Sequence, residues 1–123
     1  MRVALLVACV VLAACGAEPI GGEPPGGVAA CTADNAKAVT YVTLRSMTFV
    51  PSCLKVATHA LVTFRNTDAI LHSVIADEGQ PGAFDSGPLP KGFVFQHVFD
   101  LAGVVQLHSR VQPAMRATVI VGP

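Results

Sequence analysis

Hydrophobic positions follow three regimes along this 123-residue chain. From Val3 to Ala14 every residue is Val, Ala, Leu or Cys; from Gly16 to Ala30 the apolar signal dissolves among Pro and Gly. Beyond Cys31 it returns with the period of extended chain. Successive side chains of a strand point to opposite faces, so Phe93, Phe95, His97 and Phe99 share one face. Enrichment in β-branched and aromatic residues accompanies this alternation, and it is interrupted at Pro51, Asn66-Thr67-Asp68, Gly79-Gln80-Pro81-Gly82 and Pro88-Leu89-Pro90. The pattern predicts strands near Val39–Thr48, Cys53–Val56, Leu61–Asn66, Leu71–Ala76, Phe93–Asp100, Val104–His108 and Arg116–Val121. No stretch sustains a helical period over three turns. About seven short strands in roughly 90 residues predict an all-β Greek-key β-sandwich.

Arg2 precedes the first apolar run, which is roughly a dozen residues long. That is too short to cross roughly 30 Å of hydrocarbon and suits the apolar region of a secretory signal. The run ends in Leu12-Ala13-Ala14-Cys15-Gly16, which resembles the lipobox of bacterial lipoproteins. The resemblance implies cleavage before Cys15 and a diacylglycerol on its thiol. Two or three acyl chains, at about 0.8 kcal/mol per buried CH₂, make a firm anchor. An ordinary secretory signal with an incidental Cys is the alternative. Gly16, rather than Asp, follows the modified residue, which in a Gram-negative host implies an outer-membrane protein facing the periplasm. The chain thus divides into a signal peptide with lipobox at 1–15, a tether at 16–30 and a domain at 31–123. The tether is too rich in Pro and Gly to bury a core. No second apolar stretch is long enough to span a membrane.

Charge adds little. Eight basic residues face eight acidic ones, and with Arg2 in the leader the mature chain is slightly acidic. No basic run appears, so no nucleic-acid partner is expected. The four cysteines are more informative. Cys9 lies in the discarded run and Cys15 takes the lipid, leaving Cys31 and Cys53 in an oxidising compartment where a disulfide is expected. It would close a loop of about 20 residues, contribute about 3 kcal/mol, and tie the N-terminal arm to the domain. A two-thiol metal site is the alternative.

From Met47 to Val121 the order of residues resembles the cupredoxin family. Met47-Thr48-Phe49-Val50-Pro51, followed by Leu54 and Val56, is similar to the family's early strand. Val62-Thr63-Phe64-Arg65-Asn66-Thr67-Asp68 and then His72 resemble the strand and loop that deliver its first copper ligand. Phe84-Asp85-Ser86-Gly87 with Leu89 and Gly92 resembles a further family segment, and Phe99, Gly103 and Pro113-Ala114-Met115 fit its final strand and ligand loop.

The resemblance implies two imidazoles and a thiolate around copper, with a weak axial thioether. In the family the last three come from one loop: Cys, His three residues on, and Met three further. With Pro113 and Met115 as anchors, Ser109 stands at the Cys position and Gln112 at the second His position, while His72 and Met115 keep theirs. His108 neighbours the Cys position, and adjacent strand residues point to opposite faces. A hydroxyl that keeps its proton is a poor substitute for a soft thiolate, and Gln112 offers only a neutral amide oxygen. The expectation is therefore no cofactor, with Ser109 and Gln112 hydrogen-bonded to each other or to nearby backbone and Met115 in the core. Copper in an altered site using His72 and Met115, helped by Gln112 or His108, is the alternative; an electron carrier ranks last.

Of the other imidazoles, His59 has no evident role and His97 shares the face of Phe93, Phe95 and Phe99. Met47 reads as core filler rather than a thioether ligand. Asp77-Glu78 reads as solvated loop charge. Ser86 lacks the strand–turn–helix setting of a nucleophile elbow, and no Gly-rich phosphate loop precedes a helix. No catalytic residue is expected. The sequence reads as a non-enzymatic binding or scaffold module of the cell envelope, with the membrane and an unidentified envelope protein as partners.

Overall fold

Eight strands carry the domain in a computed structural model that describes residues 30–123. The signal, Cys15 and nearly all of the tether lie outside the described residues. The strands are β1 (Tyr41–Arg45), β2 (Thr48–Val50), β3 (Cys53–Ala57), β4 (Ala60–Asn66), β5 (Ile75–Ala76), β6 (Val94–Phe99), β7 (Gly103–His108) and β8 (Arg116–Gly122). They form two four-stranded sheets, ordered β2-β1-β4-β6 and β3-β8-β7-β5. β1 runs parallel to β4 and β3 parallel to β8; the other neighbours are antiparallel.

Period-2 alternation places the core between the sheets. β4 turns Val62 and Phe64 inward, β7 Val105 and Leu107, and β8 Ala117, Val119 and Val121. Leu44, Phe49, Leu54, Val74, Leu89 and Met115 complete the cluster. Each large apolar side chain enclosed in this way contributes about 1.5–3 kcal/mol. The all-β sandwich is as the alternation implies.

Two segments depart from the sequence reading. The strand expected over Val39–Thr48 breaks in two, because Ser46 and Met47 take φ of 53° and 59°. Left-handed φ at both central residues is what a two-residue hairpin demands, so Arg45 pairs with Thr48 and β2 folds back on β1. The strand expected over Leu71–Ala76 shrinks to β5. His72, Ser73 and Val74 are all buried, which a period-2 strand cannot achieve, and His72 pairs with Leu89 through an isolated bridge.

Cys31 and Cys53 form the expected disulfide, with Cα atoms 5.5 Å apart. The arm that follows lies along β3: the Lys37 amide donates to the Cys53 carbonyl at 3.0 Å, and the Lys55 amide to the Lys37 carbonyl at 2.9 Å.

On the inner face of β6, His97 stacks on Phe84 with ring centroids 3.8 Å apart and meets Phe99 edge-on at 4.8 Å. Phe93, just outside the strand, is instead 58% exposed. Burial depresses the His97 pKa, and the nearby Asp100 carboxylate only partly offsets it. A depressed folded pKa means that this stability is present above the ordinary imidazole value of 6.5 and is lost as pH falls through the lower folded value. In His97→Phe that component of acid loss is expected to vanish. Urea midpoints at pH 8 and pH 5 would then lie closer together than in the parent; an unchanged gap would refute the assignment.

Candidate functional site

The loops after β4 and β7 meet at one end of the sandwich, and a chain of hydrogen bonds fastens them. It begins at Asn66, fully buried at the end of β4. Its side-chain amide donates to the carbonyls of Ile70 at 2.9 Å and Leu89 at 2.7 Å, while its Oδ1 accepts from the Asp68 amide at 2.8 Å. That last bond is an Asx turn, the local closure Asn makes readily.

The turn sets the Asp68 carboxylate where three donors converge. Oδ1 accepts from the Ser46 amide at 2.6 Å and Oδ2 from the Met47 amide at 2.9 Å, so both left-handed residues of the β1–β2 hairpin are held by one carboxylate. His72 Nε2 donates to Oδ2 at 2.8 Å. Burial opposes the charge of Asp68, but the donors from Met47, His72 and Ser46 outweigh it and hold the carboxyl below its ordinary range.

His72 is 0% exposed. Its backbone exchanges hydrogen bonds with Leu89 at 3.2 and 2.7 Å. With Nε2–H given to Asp68, the ring turns its Nδ1 toward Ser109 Oγ at 3.4 Å. Ser109, also fully buried, accepts from the Ser73 amide at 3.3 Å, and the Arg110 amide donates back to Ser73 Oγ at 2.9 Å. Met115, 3% exposed, closes the loop: its amide donates to the Gln112 carbonyl at 2.8 Å and its carbonyl accepts from the Ser109 amide at 3.2 Å.

His72 and Ser109 therefore stand side by side, and Met115 is buried in the core cluster. Gln112 does not turn toward them. Its Nε2 donates to Met47 Sδ at 3.1 Å, neither to Ser109 nor to backbone as expected from sequence. Met47 is not core filler: the hairpin turn leaves it 47% exposed over Gln112. The other imidazoles lie elsewhere. His108 bonds Asp77 at 2.7 Å and His59 bonds Asp100 at 3.0 Å. Asp77 is more than solvated loop charge, since it also pairs with Arg116; burial opposes its charge, but the His108 and Arg116 contacts prevail and lower its pKa. Ser86 Oγ accepts from the Val74 amide at 2.8 Å and donates to the Gly87 carbonyl at 2.7 Å, which makes it a loop fastener.

Asp68, Asn66 and Ser73 are the site residues that sequence reasoning passed over. Asn66-Thr67-Asp68 was legible as a turn. A carboxylate four positions before a candidate ligand His was the signal that it also orients the ring. The order Ser109–His72–Asp68 has the composition of a nucleophile with its base and orienting acid. The hydroxyl is enclosed, however, and 3.4 Å exceeds the ~2.6–3.2 Å reach of such a pair. Among the described residues no three His, Cys, Asp or Glu side chains are grouped to hold a metal ion. Beside His72 a cavity of about 190 Å³ is lined by Leu71, Ser73, Pro88, Arg110 and Val111.

Solved structures similar to this chain are cupredoxins and a protein that contains such a domain. An oxidised amicyanin variant aligns with TM-score 0.63 and 27% identity over 73% of this chain and 85% of its own. A purple cupredoxin from Nitrosopumilus maritimus aligns with TM-score 0.61 and 22% identity, covering 68% of this chain and 100% of its own. A copper-containing nitrite reductase from Thermus scotoductus aligns with TM-score 0.65 and 21% identity over 76% of this chain, but only 25% of its own. No family model and no curated protein matches the chain.

Proposed function

We propose that this chain, whose described domain is a cupredoxin-fold sandwich, is a non-enzymatic binding or scaffold module of the cell envelope, held to the membrane through Cys15. Amicyanin, to which the domain is similar, is known in a Cu(I) form; the family resemblance puts copper-ligand positions at His72 and Ser109, and here a hydrogen-bonded strut joins those two side chains. The carrying observation is the Ser109 hydroxyl. It occupies the near side of His72 Nδ1 at 3.4 Å and is fixed there by the Ser73 amide.

The donor set does not fit a type-1 copper ion, which requires two imidazoles and a thiolate in one plane. This end of the domain supplies one imidazole, a protonated hydroxyl and the thioether of Met115, while the Gln112 amide is engaged by Met47. The strut still keeps the loops in place. Around it Ile70, Leu71 and Val111 are exposed beside the cavity, an apolar rim suited to a protein partner. The lipobox-like Leu12-Ala13-Ala14-Cys15 supports the anchor.

Protein purified without chelator is expected to contain no stoichiometric copper, and calorimetric titration with Cu(II), or with Cu(I) under reductant, to find no submicromolar site. One equivalent of tightly bound copper would overturn the reading. The second reading, copper held by His72 and Met115, draws support from the Asp68–His72 bond, because metal-binding imidazoles are commonly oriented by a carboxylate on the other nitrogen. It requires His72→Ala to abolish binding.

A further inference from the structure

Each sheet has two edges, and three of the four are blunted. β2 is three residues long and ends at Pro51, β5 is two residues long, and β3 is covered by the Cys31–Val39 arm through Lys37. β6 is different. It runs six residues, Val94-Phe95-Gln96-His97-Val98-Phe99, with no Pro and no Asp, Glu, Lys or Arg inside it. Short strands, prolines, charges and covering segments are the usual guards of an edge, and among the described residues β6 has none.

Its free edge has a definite pattern. The Asn66 amide bonds the Phe93 carbonyl at 3.1 Å in register with the Phe64–Phe95 and Val62–His97 pairs. Odd-numbered residues therefore direct their backbone groups to β4, and the N–H and C=O of Val94, Gln96 and Val98 face outward. Val94 and Val98 are 49% and 40% exposed on the outer face, where Leu61 adjoins Val98.

We propose that β6 pairs antiparallel with β6 of a second copy of this chain, about a two-fold axis through Gln96. In that register Gln96 opposes its own copy and Val94 opposes Val98 of the other chain. Every outward N–H and C=O of the three residues then gains a partner, and apolar side chains meet apolar ones. The axis also fits the flanking charges. Lys91 lies before the strand and Asp100 directly after it, so antiparallel pairing brings opposite charges to each end of the seam, whereas parallel pairing would set like charges together. The occupant is self-complementary, as an isologous contact must be. One strand pair is small beside the ~1,600 Å² of a standard interface, so the dimer is reversible.

Opposed residues of a hydrogen-bonded antiparallel pair have Cα atoms about 5.5 Å apart, within disulfide range. The full chain in detergent, carrying Gln96→Cys and exposed to oxidised glutathione, is expected to form a reducible dimer. Thr63→Cys lies one strand inward on the same face and is the control. Cross-linking at position 96 should exceed that at position 63 by about tenfold, reflecting the high effective concentration across the axis. Adding Val94→Lys and Val98→Lys to Gln96→Cys should return it to the control level, with the far-ultraviolet dichroism unchanged. Equal cross-linking at positions 96 and 63, including the absence of dimer at both, overturns the proposal, and that comparison decides even if the lysine variant fails to fold.

Discussion

A chain carrying both Ser109→Cys and Gln112→His is expected to bind Cu(II) and turn blue. The first change replaces a protonated hydroxyl with a soft thiolate beside His72 Nδ1; the second adds an imidazole where Gln112 now reaches Met47. Together with His72 and Met115 they complete the trigonal set with an axial thioether. The scaffold for them already exists. Asp68 orients His72, and the bonds from the Arg110 amide to Ser73 Oγ and from the Met115 amide to the Gln112 carbonyl pin the loop that would carry the new ligands. Visible absorption and electron paramagnetic resonance of the copper-loaded protein report the outcome. Ser109→Cys alone, lacking the second imidazole, should bind copper more weakly and with a different spectrum. A folded, copper-loaded but colourless double variant would mean that a side chain at position 112 cannot swing from Met47 toward His72.

Asp68→Asn should be the costliest conservative change at this end of the domain, at about 3 kcal/mol. The carboxylate receives only donors: two backbone amides and the His72 Nε2–H. An amide side chain must turn an NH₂ toward at least one of them, leaving a donor unsatisfied near a fully buried ring, and such losses cost about 1–3 kcal/mol each, more when a charged acceptor is removed. The same residue makes a pH prediction. Because its folded pKa is lowered, its contribution is complete above the ordinary carboxylate value of 3.8 and is lost as pH falls through the depressed folded value. Urea unfolding should therefore separate parent and Asp68→Asn widely at pH 7 and much less near pH 2. A difference that stays constant with pH would show that the carboxylate's charge is not what holds the hairpin.

Much of the sandwich was readable from alternation. β3, β4, β6, β7 and β8 lie within a residue or so of their expected limits, because each buries one face and repeats with period 2. The β1–β2 hairpin was not, since Ser46-Met47 has none of the Gly or Asn chemistry of such turns; its left-handed backbone is held by a carboxylate 22 positions away. No local window contains that bond. Three consecutive buried residues at His72–Val74 likewise violate the period on which the strand reading depended. The site was legible only where the cupredoxin resemblance aligned it. The resemblance located Ser109 and Gln112 but not the direction of the Gln112 side chain, which follows from the hairpin bringing Met47 overhead. Hydropathy counts methionine as interior, and a turn that exposes it cannot be seen from its hydropathy.

The covalent link between Cys31 and Cys53 also sets the path of mechanical load. Tension arriving along the chain from residue 30 passes at Cys31 directly into β3, bypassing the stretch from Thr32 to Ser52. β3 is bound in parallel along its whole length to β8, so the pull is shared as shear among several ladder hydrogen bonds rather than unzipping them singly. The arm, the β1–β2 hairpin and the Asp68 contacts beneath it lie outside that path, so a pull on residue 30 loads the β3–β8 ladder before it reaches them.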